Sequence, residues 1–168
     1  SGASPRIRPG LAADAETLRT IELRASQRFV DAEIFRADQV GATEAVVLQT
    51  ASQAGLLWVI EVEEHPVGFA LCERRGLDLH LMELDVAPEA QGQGLGQSLL
   101  RHVCARAHDF GATRVTLTTF ADVPWNGPWY RRFGFTELDE VDAPDWLRGI
   151  REAERRAGLD VRPRQILE

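Results

Sequence analysis

The order of hydrophobic and polar positions predicts two helices in the first third of the chain. Asp14 has a helix-capping side chain and precedes four apolar residues at helical spacing, which predict a first amphipathic helix. These residues are Leu18, Ile21, Ala25 and Phe29. A short extended segment is expected at 6–9 and a second helix at 43–53, ended by Gly55, whereas 31–38 fits no single pattern.

From Leu56 the pattern becomes that of strands. The apolar segments 57–62 and 67–72 flank a break at 64–66 and predict a β-hairpin. A further strand is predicted from Leu77 to Val86, and side chains alternate between the two faces of a strand. Alternation assigns Met82, Leu84 and Val86 to one face and the carboxylates Glu83 and Asp85 to the other.

The second half alternates helices and strands. A helix is predicted at about 94–110 and a strand at 114–120. A turn-rich stretch then leads to a short helix through 129–133 and a strand from Phe135. Apolar residues at helical spacing predict a last helix at 145–157.

Composition indicates a globular domain and argues against two kinds of partner. Hydrophobic residues make up 44% and charged residues 27% of the 168 residues, which suits a single folded domain over 1–168. We expect 1–5 to be a flexible start and 144–168 to form a C-terminal helix and tail. The net charge of −7 without a basic run argues against nucleic acid. No apolar stretch approaches the length that spans a bilayer, so we expect no membrane partner and a cytoplasmic location.

Cysteine, histidine and lysine usage excludes several chemistries. Cys72 and Cys104 lie in apolar stretches and are interpreted as buried free thiols. The four histidines show no metal-ligand spacing, so no metal is expected. The chain contains no lysine, which excludes a phosphate-loop lysine and Schiff-base chemistry.

The glycine-rich segment at 91–96 carries the first functional signal. It lies between a predicted strand and a predicted helix, where free helix amides and the helix dipole attract a phosphate. A tight turn without a ligand is the plainer interpretation of such glycines, so the context must decide. The GxGxG spacing differs from the dinucleotide fingerprint.

Two motifs together resemble the GNAT superfamily of N-acetyltransferases. After Val86-Ala87-Pro88, the residues Gln91, Gly94 and Gly96 match the three fixed positions of its pyrophosphate motif, Q/R-x-x-G-x-G/A. Downstream, the segment from Asn126 to Phe135 resembles the family's next cofactor segment, with an Asn and a Tyr before a terminal Gly-Phe. The resemblance covers about residues 56–140.

The resemblance implies a fold and a cofactor site. The fold would be α/β (α+β), with a central, mostly antiparallel mixed sheet that splays at the cofactor site and helices on both faces. Acetyl-CoA would be the cosubstrate, with Asn126 touching its arm. Pantetheine would bind backbone groups of Asp85, Val86 and Ala87 as an added strand. The pyrophosphate segment would comprise Gln91, Gly92, Gln93, Gly94, Leu95, Gly96 and Gln97.

The resemblance and the strand pattern name two catalytic candidates. Tyr130, the single tyrosine, would protonate the departing CoA thiolate, although a tyrosine packed between Trp129 and Phe133 is the structural alternative. Glu83 would be the base, with Asp85 beside it raising one of the two pKa values. The alternative for this pair is a solvated strand face.

The resulting hypothesis is transfer of acetyl from acetyl-CoA to a primary amine of a small molecule, by direct attack. A protein N-acetyltransferase and a non-catalytic acyl-CoA sensor of the same fold are the alternatives. A homodimer is expected, and the Trp146 and Ile150 stripe could serve a dimer face or an internal core.

Overall fold

One seven-stranded sheet organises the protein in a computed structural model that describes residues 3–168. Ser1 and Gly2, part of the expected flexible start, lie outside the described residues. The strands are β1 (Arg6–Pro9), β2 (Leu57–Val62), β3 (His65–Arg75), β4 (Asp78–Val86), β5 (Arg114–Phe120), β6 (Glu137–Leu138) and β7 (Arg164–Leu167). The helices are α1 (Ala15–Asp31), α2 (Ala45–Gln53), α3 (Leu95–Asp109), α4 (Gly127–Arg132) and α5 (Asp145–Arg156).

The sheet is mixed and mostly antiparallel. Its strand order is β1-β2-β3-β4-β5-β7-β6. Every neighbouring pair is antiparallel except β4 and β5, which run parallel. A helix, α3, connects these two strands, as a parallel crossover requires. The predicted sheet is therefore confirmed.

Helices α1 and α3 cover opposite faces of the sheet. On one face Trp58 of β2 contacts His102 of α3, with ring centroids 5.5 Å apart. Val86 lies on this face as well, because a Cβ added at Gly96 of α3 would come within 3.9 Å of it. The neighbouring side chain, Asp85, lies on the other face beside Glu22 of α1.

A β-bulge at Met82 changes the predicted alternation in β4. Leu81 pairs with Cys72 and Glu83 pairs with Leu71, so Met82 has no partner on β3. Met82 is 40% exposed rather than packed with Leu84 and Val86, which corrects its predicted place. Because consecutive residues of β3 face opposite sides, the bulge places Leu81 and Glu83 on opposite faces.

The C-terminal tail contains a strand that the sequence pattern did not reveal. β7 lies between β5 and β6 and bonds to both, whereas the strand predicted from Phe135 contains two residues. The expected extended tail is thus a central strand of this half of the sheet.

The apolar stripe of α5 packs inside the chain. Trp146 and Ile150 contact a small core of Ala143, Leu147 and Ile166. The stripe therefore contacts an internal core, and a homodimer stays a prediction.

Two further findings concern cysteine and membrane predictions. Cys72 is buried as expected, but Cys104 on α3 is exposed, so its predicted burial is wrong. Cys104 follows the buried Val103 and lies outside the core-facing stripe of the helix. Within residues 3–168, no helix is both long enough and apolar enough to cross a membrane.

A substitution at Gly127 tests the packing at the start of α4, and a substitution at Gly149 in α5 provides the comparison. A Cβ at Gly127 would lie 2.8 Å from the carbonyl oxygen of Phe120, so Gly127→Ala should destabilise the fold by about 1–3 kcal/mol. Gly149 lies in α5 with no atom within 4 Å of an added Cβ. Gly149→Ala should stabilise by up to about 1 kcal/mol because alanine favours helix. Urea unfolding measures the free energy of unfolding of both variants. Equal changes in this free energy would contradict the packing at Gly127.

Candidate active site

The central feature of the site is the gap between β4 and β5. The two strands pair only through Asp78–His80 and Arg114–Thr116, and beyond these residues they separate. A cavity of about 270 Å³ lies at the end of β4, bounded also by α1, α3 and α4. The separation of two neighbouring strands gives a ligand access to the interior of the sheet.

The free edge of β4 presents a specific set of backbone groups to this gap. Ala87 donates its amide to the carbonyl of Val67 at 2.7 Å. Hydrogen bonding alternates along an antiparallel pair, so Asp85 and Ala87 bond to β3 whereas Leu84 and Val86 face the gap. This register agrees with a ligand contact at Val86. It favours Leu84 over Asp85 and Ala87 for the backbone contacts expected from the sequence.

The glycine-rich loop offers a row of unbonded amides. Gly92 and Gly94 both have φ of 78°, a left-handed conformation that strongly favours glycine. The amides from Gly92 to Gln97 donate no hydrogen bond to any atom of residues 3–168. The Gln91 side chain donates to the Val86 carbonyl at 2.9 Å and so ties the loop to the strand end. Gln91 thereby holds the loop, and the six amides can bind an anionic ligand.

Helix α4 brings Tyr130 and Asn126 to the cavity. Both residues contribute to its wall, and Asn126 immediately precedes the first residue of the helix without a capping side-chain hydrogen bond. The Tyr130 ring meets Trp129 edge-on at a centroid distance of 5.0 Å. Burial and the nearby charges of Asp85 and Glu83 raise the pKa of Tyr130, so its hydroxyl keeps its proton. Tyr130 is both packed against aromatic rings and accessible to the cavity.

Three carboxylates cluster beside β4, and one of them, Asp85, lines the cavity. Glu22 of α1, Glu83 and Asp85 each offer an oxygen, and these oxygens are all within 4.8 Å of one another. Glu83 and Asp85 are half-buried, which excludes the solvated strand face. Among the described residues this group could hold a metal ion, although hard cations such as Ca²⁺ prefer six to eight oxygens.

The carboxylate pair holds a proton near neutral pH. Burial raises the pKa of Asp85 to about 7, although a hydrogen bond with Glu83 opposes the rise. Burial and the charge of Asp85 raise the pKa of Glu83 well above its ordinary value. At neutral pH the two carboxyls therefore share a proton and titrate as a coupled pair.

Sequence reasoning missed two residues of α1 that belong to this site. Glu22 is 4% exposed. The sequence feature that could have revealed it is a charged residue within the apolar stripe of the helix. Arg28 lines the cavity, with its guanidinium 4.6 Å from the centroid of the Trp125 ring. Burial lowers the pKa of Arg28, and no carboxylate of residues 3–168 forms a salt bridge with it. No sequence pattern distinguished it from the other arginines.

His80 lies near the closed end of the gap and has a structural role. Its Nδ1 is 2.9 Å from the Thr116 hydroxyl oxygen, and its ring packs edge-on against Trp146. Burial lowers the pKa of His80 to about 4, so the ring is neutral at physiological pH. His80 therefore joins β4 to β5 where the two strands are still paired.

Solved structures of similar fold include several acetyltransferases. N-acetylglutamate synthase from Neisseria gonorrhoeae, complexed with coenzyme A and N-acetyl-glutamate, superposes with a TM-score of 0.72 at 20% identity. The match covers 99% of this chain but 35% of the synthase, so the chain spans about a third of that protein.

Two matches cover both chains more evenly. The PaiA N-acetyltransferase from Thermoplasma acidophilum, in complex with coenzyme A, has a TM-score of 0.68 at 17% identity, covering 81% of this chain and 92% of its own. The ribosomal-protein-S18-alanine N-acetyltransferase from Escherichia coli also has a TM-score of 0.68, at 19% identity, covering 98% and 92%. These likenesses establish the fold.

The family follows from the sequence itself. The model of the acetyltransferase (GNAT) family matches residues 20–135, which contain most of α1, the glycine-rich loop and Tyr130. The chain therefore belongs to the acetyltransferase (GNAT) family.

Proposed function

We propose that the protein transfers the acetyl group of acetyl-CoA to a primary amine of a small molecule by direct attack. One observation carries this proposal: the cavity at the gap between β4 and β5 is lined by the glycine-rich loop with its free amides, by Tyr130 and by Asp85 of the carboxylate pair. The amides suit the phosphates of the coenzyme, whereas the tyrosine and carboxylates suit the proton transfers of acetylation.

The residues of the gap fit the chemical parts of acetyl-CoA. The pantetheine amides would pair with the free backbone groups of Leu84 and with the amide of Val86, whose carbonyl already accepts from Gln91, as an added strand does. The pyrophosphate would accept hydrogen bonds from the amides of residues 92–97. Arg28 supplies a cation in the same cavity, and Asn126 reaches the coenzyme from α4. Bound acetyl-CoA supplies a thioester, whose C–S bond breaks as the amine nitrogen forms a C–N bond.

Tyr130 fits the role of the acid that protonates the leaving sulfur. A raised pKa keeps the phenol protonated at neutral pH, and placement in the cavity brings the hydroxyl to the reacting groups. The proton given by Tyr130 is balanced by the proton that the amine nitrogen loses to form the amide. Water or the carboxylate pair returns a proton to Tyr130 for the next turnover.

Asp85 is a better candidate than Glu83 for the base. A base acts best when its pKa lies near the working pH, and Asp85 has a pKa of about 7. The hydrogen bond between the two carboxyls raises the pKa of Glu83, so Glu83 is the partner that would hold the shared proton and donate it to Asp85. This arrangement gives the catalytic role to Asp85 and a supporting role to Glu83, in place of the reverse order expected from the sequence.

A small molecule fits the site better than a protein surface. Glu22 is buried, and one oxygen of Asp85 is inaccessible to solvent, so the acceptor nitrogen must enter a narrow space beneath α1. A small amine enters without the ordering cost that a polypeptide segment incurs. Among proteins of this fold, the acceptors include an amino acid in N-acetylglutamate synthase and a ribosomal protein alanine.

The first functional prediction concerns the glycine-rich loop. Gly94→Asp should weaken acetyl-CoA binding by about ten-fold or more, because it adds strain and places a negative charge beside the pyrophosphate. Gly111→Asp is the matched control, since Gly111 has a similar φ of 71° and lies beyond the other end of α3. Titration calorimetry measures both proteins. Unchanged affinity in the Gly94→Asp protein would remove the loop from the coenzyme site.

The second functional prediction concerns the leaving group. Tyr130→Phe keeps the ring packing but removes the proton donor, so kcat should fall by about 10²-fold while coenzyme affinity hardly changes. An acetyl donor with a more acidic thiol needs less protonation and should restore much of the rate. An equal deficit with both donors would assign Tyr130 to positioning instead.

The third functional prediction concerns pH. Asp85 must be ionised to accept a proton, so kcat/KM should rise with pH through about 7. Asp85→Asn should lower kcat/KM and abolish this rise. Glu83→Gln should keep it, because the amide still donates a hydrogen bond to Asp85. Stopped assays from pH 5 to 9 compare the variants, and loss of the rise in Glu83→Gln alone would return the base role to Glu83.

A further inference from the structure

Arg28 of α1 contributes a cation without a partner to the wall of the cavity. Its guanidinium carries five N–H groups, and none of them donates a hydrogen bond or forms a salt bridge within residues 3–168. Burial lowers the pKa of Arg28, and no carboxylate of the described residues opposes this effect. A half-buried guanidinium loses hydration and receives no acceptor in return, so it is suited to bind an anion that enters the cavity.

The indole of Trp125 provides a second donor without a partner beside this cation. The Arg28 guanidinium lies 4.6 Å from the centroid of the Trp125 ring, and both side chains line the cavity. The Nε1 of Trp125 is buried and has no hydrogen-bond partner among the described residues. A buried N–H group without an acceptor is costly, so such groups are rare in folded proteins. Two adjacent side chains therefore have donors and lack acceptor oxygens.

Helix α1 crosses the gap and brings Arg28 to the β5 side of it. Glu22 of this helix lies with Asp85 of β4. Seven residues later, about two helical turns, the Phe29 ring contacts the ring of Phe120 at the end of β5, with centroids 5.9 Å apart. Arg28 precedes Phe29 directly. The carboxylate pair and the unpaired cation thus lie on opposite sides of the gap, beneath the same helix.

A coenzyme phosphate and an acceptor carboxylate are the two anionic groups that the proposed reaction brings to this cavity. The amides of residues 92–97 already offer donors to the phosphates, and they begin α3, which covers the opposite face of the sheet from α1. Asp85, the proposed base, has its side chain on the α1 face. The acceptor must approach Asp85, so the position of Arg28 on α1 favours the acceptor as the source of the anion.

We infer that Arg28 binds a carboxylate of the acceptor, and that the acceptor is therefore an amino acid. The inference rests on the proposed function. The amino nitrogen then points to Asp85 of β4, and the carboxylate points across the gap to Arg28. A guanidinium offers two parallel N–H groups to a carboxylate, which makes the contact directional as well as charged. Without this cation, Asp85 and Glu83 would repel an acceptor that carries a negative charge.

Amino acids and their carboxamides test the requirement for a carboxylate. The common L-amino acids, β-alanine and 4-aminobutyrate are each compared with the compound in which the carboxylate is an amide, in assays of thiol released from acetyl-CoA. The best amino acid should have a kcat/KM about ten-fold or more above that of its amide. The amide has the more acidic ammonium group and thus more reactive neutral amine, which opposes the expected difference. A best acceptor that is used equally well as its amide would overturn the inference.

Variants of α1 test whether Arg28 causes this preference. Arg28→Gln should lower the acid-to-amide ratio of kcat/KM by about ten-fold, chiefly through a higher KM for the acid. Arg28→Lys keeps the charge without the planar fork, so its ratio should be intermediate. Arg24→Gln is the matched control, because Arg24 lies one turn earlier, outside the cavity wall, and pairs with Glu89. An unchanged ratio in folded Arg28→Gln protein would remove Arg28 from acceptor recognition.

Calorimetry with acetyl-CoA distinguishes the two sources of the anion. The Arg28→Gln protein should bind acetyl-CoA about as tightly as the unsubstituted protein, because the loop amides hold the phosphates. A ten-fold or greater loss of coenzyme affinity together with an unchanged acid-to-amide ratio, on the scale of about 1.4 kcal/mol per decade, would assign Arg28 to a coenzyme phosphate and overturn the inference.

A binding measurement distinguishes failure of this inference from failure of the proposed function. If no amine is acetylated although acetyl-CoA binds, the proposed transferase activity is wrong. Calorimetry of the same amino acids and amides against the coenzyme-bound protein still tests Arg28 in that case. Tighter binding of an amino acid than of its amide, lost in Arg28→Gln, supports the carboxylate site, and equal binding of every acid and its amide contradicts it.

Discussion

The separation of β4 from β5 is the constraint on which the rest of the site depends. The parallel pairing of β4 with β5 ends at His80 and Thr116. Beyond these residues the two strands do not pair with each other. Unpaired backbone groups inside a protein need partners, so this sheet is built to accept an extended ligand. The gap divides the sheet into two halves. The half with β4 carries the carboxylates, and the half with β5 leads into α4 and Tyr130. In the proposed reaction, acid and base thus come from opposite sides of one opening.

The bulge at Met82 determines which chemistry the β4 arm presents. Without the extra residue, Glu83 and Asp85 would continue the face of Leu79 and Leu81, which are buried in the main core. The bulge reverses the alternation, so the apolar face continues through Leu84 and the carboxylates turn towards α1. Burial there raises both pKa values, and the hydrogen bond between the two carboxyls raises the pKa of Glu83 and lowers that of Asp85, which is the basis of the different roles proposed for them.

The sequence predicted the local features of the site and missed the non-local ones. The bounds of β5, the start of α3 and the Tyr130 helix follow from glycines, apolar spacing and one motif, all within short stretches. Glu22 and β7 depend on partners more than 40 residues away, such as Asp85 and Thr118. The bulge depends on pairing register, which alternation within one strand does not reveal. The choice between Glu83 and Asp85 required burial that only the packed structure defines.

The position of β7 has a consequence for the order of folding. Strands β2 to β4 follow one another along the chain and pair as neighbours, so this half of the sheet can assemble from contacts close in sequence. β5 finds its antiparallel partner only in Arg164–Leu167, and Glu168 joins Thr136 through two backbone hydrogen bonds. During synthesis the half of the sheet with β4 and its carboxylates can therefore form early. The half with β5 and Tyr130 becomes complete only after residues 164–168 leave the ribosome.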